Sequence, residues 1–542
     1  MSHLIVLPVV LPALLAPIMA MAMRHDRVLQ RTFGLAGQVA LLALAVALAT
    51  QAFSTGEIAI YELGAWPAPF GIVLVLDRLS ATMLMLSAAL GVMVTLYAIG
   101  SGWDRRGWHF HALFAFQMMG VNGAFLTGDA FNLFVFFEVL LIASYGLVIH
   151  SGGAFRLRAG LQYVVMNLAG STLFLFALGT LYAVLGTLNM ADMAVKASQV
   201  APEETALLAV GAVLLLLVFA VKAAAFPVQF WLPATYSAAP APVAALFAIM
   251  TKVGAYAIIR VYTLIFGAGT PELSALVSAM LLPAALVTLV VGAVGVLGSA
   301  RLERAIAFSV LASMGTLLTA IALFTPAGLT AALYYMVHST FAGAALFLVA
   351  DLVRRGQEGG MRPHGITVAF YFVAAIAIAG MPPLTGFLGK VFVLQAAAPA
   401  EGAPVIWGVI LVTSLLLIVG FTRLGSALFW KRAPVPDGDP LDAGGDLALP
   451  GGLAATAAGL PVAALALMTL ASGPVAEAMD RTAAQLIDRP TYIRAVLDPA
   501  EPAPEALRRG GGAQDHGEGD HGAEGGGGAP AESGAAPGEE AE

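Results

Sequence analysis

"AVKAAAFPVQFWLPATYSAAPAP", residues 220–242, is apolar enough for a membrane interior and too rich in proline to be one helix. Pro227 lacks the N–H that would bond the carbonyl of Ala223, and Pro233, Pro240 and Pro242 deny the stretch a smooth continuation. Backbone left unpaired at membrane depth survives only where it is buried in protein or lines a wet cavity. Lys222 stands about one helical turn before the Pro227 break. A second stretch of the same kind, "AIAGMPPLTGFLGK" at residues 377–390, is broken by Gly380, Pro382, Pro383 and Gly386, with Lys390 about two turns past the prolines.

The surrounding chain is of one character. Of 542 residues 59% are hydrophobic and 11% charged, and mean hydropathy is +0.88. Apolar runs of roughly 20 residues recur from end to end, each able to cross a hydrocarbon core of about 30 Å. The composition predicts an all-α polytopic membrane protein with about fourteen transmembrane helices. The first run, "LIVLPVVLPALLAPIMAMAM" at 4–23, lacks a basic leader and a clear cleavage site and reads as a retained helix. The broken stretches fall in the seventh and twelfth spans, five apart. Paired breaks at that spacing point to a transporter built from two inverted repeats, each with a broken helix and with the transport path at the breaks. Helices one to three then occupy 1–108, the repeats 109–267 and 268–432, a loop and helix fourteen 433–474, and a surface segment 475–509. Residues 510–542 are Gly-, Ala- and acid-rich and are expected to be a disordered tail, whose His516 and His521 read as solvated rather than metal-binding.

Basic residues alternate between loops. Arg24, Arg27 and Arg31, then Arg105 and Arg106, Arg156 and Arg158, Arg301 and Arg304, Arg354, Arg355 and Arg362, and Lys431 and Arg432 follow the odd-numbered spans. Loops such as "STGEIAIYELGAW" (54–66) and "AAAPAEGAP" (396–404) carry none. The positive-inside rule makes the arginine loops cytoplasmic and predicts both termini on the outer face of the membrane. Absent cysteine excludes disulfides, cysteine-ligated iron–sulfur clusters and cysteine-linked haem. No cofactor is expected, and nothing suggests nucleic acid as a partner.

Charges inside the spans carry the functional signal. The chain has five lysines, and Lys222, Lys252 and Lys390 lie in apolar runs. "FVFFEVLLIASYG", 134–146, places Glu138 among phenylalanine, leucine and isoleucine, where a bare charge costs at least ~2.5–3.5 kcal/mol. Desolvation penalises a buried ammonium, and a nearby carboxylate offsets that penalty. Glu138 and Lys222 together can both stay charged, and apart the lysine can hand on its proton; a static bridge locking two helices would use the same pair. His338, in "YYMVHSTFAGAALF" at 334–347, is a relay candidate because either ring nitrogen can carry a proton. Asp129 and Asn132 read as a helix cap, Asp77 and Arg78 as a local structural pair, and the Phe131, Phe134, Phe136 and Phe137 stripe as packing.

The segments "NGAFLTGDAFNLFVFFEVLLIASYGL" (122–147), "KAAAFPVQFWLPATYSAAPAPVAALFAIMTKVGAYAIIRVY" (222–262) and "MPPLTGFLGKVFVL" (381–394) closely resemble the D-type chain of Mrp-type monovalent cation/proton antiporters. That family is allied to the antiporter-like membrane subunits of respiratory complex I. The resemblance covers roughly residues 1–475 and implies fourteen helices with two inverted five-helix repeats, a proton path along a mid-membrane polar axis, and other antiporter subunits as partners. On the matching positions Glu138 and Lys222 are the coupled pair, Lys252 the connecting residue and Lys390 the terminal lysine of the second bundle. This chain departs from the broader pattern at Tyr236, where many relatives have histidine, at Ser313, where histidine or glutamine is common, and at Gly343, often lysine. A relay through the second half then leans more on His338 and water. The expected function is exchange of sodium or potassium for protons by a membrane subunit without covalent chemistry; the alternatives are a proton-pumping subunit of a redox complex and a scaffold with inert buried charges.

Overall fold

The computed structural model describes residues 2–358, 365–430 and 452–498. Lys431, Arg432, Arg362, His516, His521 and the tail 510–542 lie outside the described residues. Within the described residues nineteen α-helices run in the order α1 (Leu7–Met21), α2 (Arg27–Thr55), α3 (Arg78–Ser101), α4 (Phe110–Leu126), α5 (Ala130–Val148), α6 (Ala154–Leu185), α7 (Met190–Ala197), α8 (Thr205–Ala223), α9 (Trp231–Ala238) and α10 (Ala241–Leu264). They continue with α11 (Pro271–Gly298), α12 (Leu302–Ala322), α13 (Pro326–Glu358), α14 (Gly365–Ala379), α15 (Thr385–Ala397), α16 (Ala403–Phe429), α17 (Gly452–Leu470), α18 (Ser472–Ile487) and α19 (Arg489–Leu497). Among the described residues eleven helices are long and apolar enough to cross a membrane. The sequence-predicted seventh span is the broken pair α8 and α9, and the twelfth is the pair α14 and α15.

Burial sorts the helices into centre and rim. The most apolar window of α10 is buried throughout, and those of α12 and α13 nearly so, whereas only about a third of the corresponding windows in α2 and α16 is covered. A helix apolar on all sides suits either place, but a charge on the lipid side of a rim helix would face hydrocarbon. Lys252 on α10 and His338 on α13 therefore sit on the innermost helices, and neither is exposed at all.

The two ends of the bundle differ in chemistry. At one end Arg31 forks onto Asp104 at 2.6 and 2.8 Å, Arg355 bonds Asp351 at 2.8 Å, and Arg156 donates to the carbonyl of Ala238 at 3.0 Å. Trp103 lies under Arg106 and Arg156 and donates its indole N–H to Asp351. The described arginines of these loops, including Arg31, Arg106, Arg156 and Arg355, thus gather at a single end. At the opposite end the loop 54–66 is more than a loop: β1 (Ala59–Glu62) pairs antiparallel with β2 (Val73–Leu76), with Ala59 opposite Leu76. Four-residue strands offer too little alternation for sequence reading to find.

That second end is strapped by the C-terminal segment. Gln485 of α18 donates to the carbonyl of Gly56 and accepts from the backbone N–H of Arg78, while Arg489 of α19 donates to the carbonyls of Leu264 and Ala194. The surface segment expected from residue 475 is thus two helices that begin at Ser472. Asp77 and Arg78 are not a local pair. Asp77 caps α3 through the N–H of Ser80 and reaches Arg260 at 2.5 and 2.9 Å, whereas Arg78 turns to the carbonyl of Arg481. Asp77 is 2% exposed, and a carboxylate so desolvated requires a buried cation, which α10 supplies and a surface arginine does not.

Candidate functional site

At each break, side chains and returning backbone N–H groups satisfy polar groups that the interrupted helix leaves free. Past α8 the chain turns through Ala224 at φ +53, the N–H of Ala225 returns to the Ala220 carbonyl, and the Trp231 indole N–H donates to the carbonyl of Val221 at 3.1 Å. The backbone N–H of Phe226 donates to Thr288 Oγ1 of α11 at 2.7 Å. Past α14 the turn runs through Gly380 at φ +81, and the N–H groups of Gly380 and Met381 both reach the Ile376 carbonyl. The peptide bonds preceding Pro227 and Pro383 are cis. Interrupted backbone at membrane depth is thus held by side chains and by neighbouring carbonyls.

At the first break Lys222 is 7% exposed. Its Nζ donates to Asn167 Oδ1 on α6 at 3.1 Å and lies 5.7 Å from the centre of the Phe137 ring. One turn further along α6, on the same face, the Ser171 hydroxyl donates to the Glu138 carboxylate. Glu138 and Lys222 do not form an ion pair in this structure; Asn167, bonded to Lys222, and Ser171, bonded to Glu138, stand as a polar step on α6. A cavity of about 10 Å³, lined by Lys222, Asn167, Tyr163 and Trp231, lies at this step. That is near the lower limit for holding one water molecule.

Lys252 projects from α10 into the centre of the bundle, and its Nζ has no hydrogen-bond partner among the described residues. His338 of α13 shares a 2.8 Å hydrogen bond through Nδ1 with Thr385 Oγ1, at the start of α15. Its Nε2 has no hydrogen-bond partner among the described residues and faces Gly386, where an added Cβ would lie 2.9 Å away. Lys390 donates to the carbonyl of Ala379 at 2.7 Å and to Ser414 Oγ of α16 at 2.8 Å. It thereby caps the exposed end of the very helix whose break made room for it.

The structure thus gathers Glu138 and Lys222 about the polar step on α6 and sets His338 and Lys390 at the second break, with Lys252 buried on the central helix α10. Pro227 and Pro233 shape the first break, Pro382 and Pro383 the second. Sequence reasoning missed Asn167, Ser171, Thr385 and Ser414. The only signal for the first two was their spacing of four in "NLAGS", and single polar residues in apolar helices are common enough to hide it. Asp129 has the capping role expected of it, accepting from the Asn132 N–H at 2.7 Å. On α12, Ser309, Ser313, Thr316 and Thr319 are all buried beside the second cluster's helices.

Two interrupted spans, each with a buried lysine beside its break, define the class: a polytopic membrane protein with broken helices of the kind transporters use. A family model described as "NADH:quinone oxidoreductase/Mrp antiporter, TM" matches residues 127–417, more than half of the chain, which belongs to that family. The D-type chain of a probable K(+)/H(+) antiporter from Rhizobium meliloti is 39% identical over 471 residues, spanning 79% of this chain and 87% of that protein. The D-type chain of the Na(+)/H(+) antiporter of Bacillus subtilis is 37% identical over 516 residues, 92% of this chain and all of that one. Among solved structures, a chain of the Mrp complex from Dietzia sp. DQ12-45-1b superposes with a TM-score of 0.81 at 29% identity, covering 92% of this chain and 100% of that one.

Proposed function

We propose that this chain is the D-type membrane component of a multi-subunit secondary antiporter that exchanges sodium or potassium for protons, and that protons pass along Glu138, Lys222, Lys252, His338 and Lys390. The observation that carries the reading is the state of the lysines: three ammonium groups buried in the bundle, none ion-paired to a carboxylate among the described residues. A lysine kept only for structure is expected beside a carboxylate, as Arg260 is beside Asp77. Lysines bonded to an amide, a hydroxyl and a carbonyl instead can gain and lose a proton without leaving a buried carboxylate stranded.

In this reading Glu138 sets the charge on Lys222 through the Ser171 and Asn167 step, Lys252 passes the proton across the boundary between the two halves, and His338 relays it to Lys390. The chain lies in the bacterial inner membrane with the arginine end cytoplasmic and both termini outside. The transported cation and the partner subunits follow from the names of the relatives and not from a site in this chain. The family is shared with NADH:quinone oxidoreductases, so a proton-pumping component of a redox complex is the second reading. Exchange by the purified assembly with no quinone or electron donor separates the two.

The direct test is cation-induced dissipation of a proton gradient in everted vesicles carrying the whole complex, with sodium, potassium and lithium compared. Glu138→Ala and Lys222→Ala are each expected to slow exchange by about a hundredfold, the scale on which a positioned proton-transfer group contributes. Wild-type exchange in both variants, with the complex intact, would leave only a scaffold role.

A further inference from the structure

At the arginine end a groove of about 530 Å³ opens between α6, the link from α8 to α9, α11 and α12. Arg158, Arg301 and Arg304 line its mouth. None of the three is ion-paired to a carboxylate among the described residues; Arg301 lies over the Phe155 ring and Arg304 over Phe308. This contrasts with Arg31 and Arg355 at the same end, each of which is held by an aspartate. Below the arginines the walls turn apolar, with Phe230, Val291 and Leu311.

We propose that this groove holds an anionic phospholipid, its phosphate on Arg158, Arg301 and Arg304 and an acyl chain against the apolar wall. Charge complementarity selects the headgroup: three guanidinium groups with no carboxylate partner among the described residues attract an anion, and guanidinium forks suit phosphate oxygens. The wall selects a lipid over a soluble anion, because inorganic phosphate leaves the apolar part of the groove unfilled. It also disfavours an acidic loop from a partner protein, which would bring backbone polar groups against Phe230 and Leu311. Gln229, Phe230 and Pro233 belong to the link that follows Lys222 and line the same groove. A bound lipid would therefore brace the first break from outside. The inference does not depend on the transported cation.

The assembled complex, titrated with dioleoylphosphatidylglycerol or dioleoylphosphatidylcholine and read by native mass spectrometry, should retain the anionic lipid in preference. That preference should fall roughly fivefold for each arginine removed, and R158Q/R301Q/R304Q should abolish it while the corresponding lysine variants keep most of it. A benzoyl-phenylalanine photoprobe in place of Phe308, in an otherwise wild-type complex, should yield a phospholipid adduct, so the test stands even where the triple variant fails to assemble. An adduct with a partner polypeptide, or unchanged lipid preference in an assembled triple variant, overturns the proposal.

Discussion

At Lys222 the decisive partner is an amide and not a carboxylate. Asn167 accepts from Nζ and Ser171 donates to Glu138, so α6 holds both charged groups although they do not touch. A hydrogen bond to a charged group contributes about 1.5–3 kcal/mol, so Asn167→Leu should slow exchange about tenfold or more with assembly intact; an unaltered rate would remove α6 from the path. Asp77 answers to a different demand. Burial alone would raise its carboxyl, but the charge and hydrogen bonds of Arg260, with Ser80, outweigh burial and hold it below the usual range. Asp104 is likewise lowered, with His111 and Arg31 overcoming the effect of burial. A lowered carboxyl binds its proton less tightly in the folded state than in the unfolded one. The stabilisation is therefore full above the ordinary value of 3.8 and is lost as pH falls through the lowered values. Thermal unfolding of the purified protein should show this as a midpoint that drops on going from about pH 6 to about pH 3. Asp77→Ala, which strands Arg260, should cost about 3–5 kcal/mol at neutral pH.

At the scale of the element, the two broken helices are made by the same means from different residues. A left-handed residue ends the first half of each, Ala224 at φ +53 and Gly380 at φ +81. An alanine there carries a steric cost of roughly 1–2 kcal/mol that glycine avoids, so Ala224→Gly should raise the unfolding midpoint in detergent. Gly380→Ala should do the reverse, and for two reasons. The new Cβ would lie 2.7 Å from Lys390 Cδ, and moving that side chain would pull Nζ from the Ala379 carbonyl it caps. Loss of exchange beyond what the stability change explains, measured in vesicles with equal amounts of complex, is the expected result. Gly386 is constrained more tightly, since its Cβ would meet the Ala377 carbonyl and His338 Nε2 together. The apolar run and the prolines of these segments were legible in the sequence, because a missing N–H is a property of one residue. How each freed carbonyl would be satisfied was not.

For the whole molecule, the arginines divide the bundle into two unlike ends. Cysteine-scanning tests the orientation on a clean background, because the chain has no cysteine. An impermeant maleimide applied to intact cells should label Glu57→Cys and Asp498→Cys, both exposed at the β-hairpin end, and should label Arg105→Cys only in everted vesicles. The opposite pattern would turn the assigned orientation over. The C-terminal helices give this end its closure. Gln485 and Arg489 tie α18 and α19 to α2, α3, α7 and α10, so truncation after α17 should loosen the hairpin and Asp77 with it.

From its sequence alone this protein was a membrane bundle with two interrupted spans and a set of charges in costly places. Those properties follow from the transfer energy of each residue and from the geometry of proline, and neither requires knowing what lies opposite. Which partner each charge would have was settled only by tertiary structure. Glu138 and Lys222 are separated by a step on α6, Asp77 is answered by Arg260 from α10, and Lys390 caps the carbonyl of Ala379. Such partners come from helices far apart in the chain, and the side each helix turns toward its neighbour is fixed by packing. In helices apolar on nearly every face, hydropathy cannot reveal that rotation.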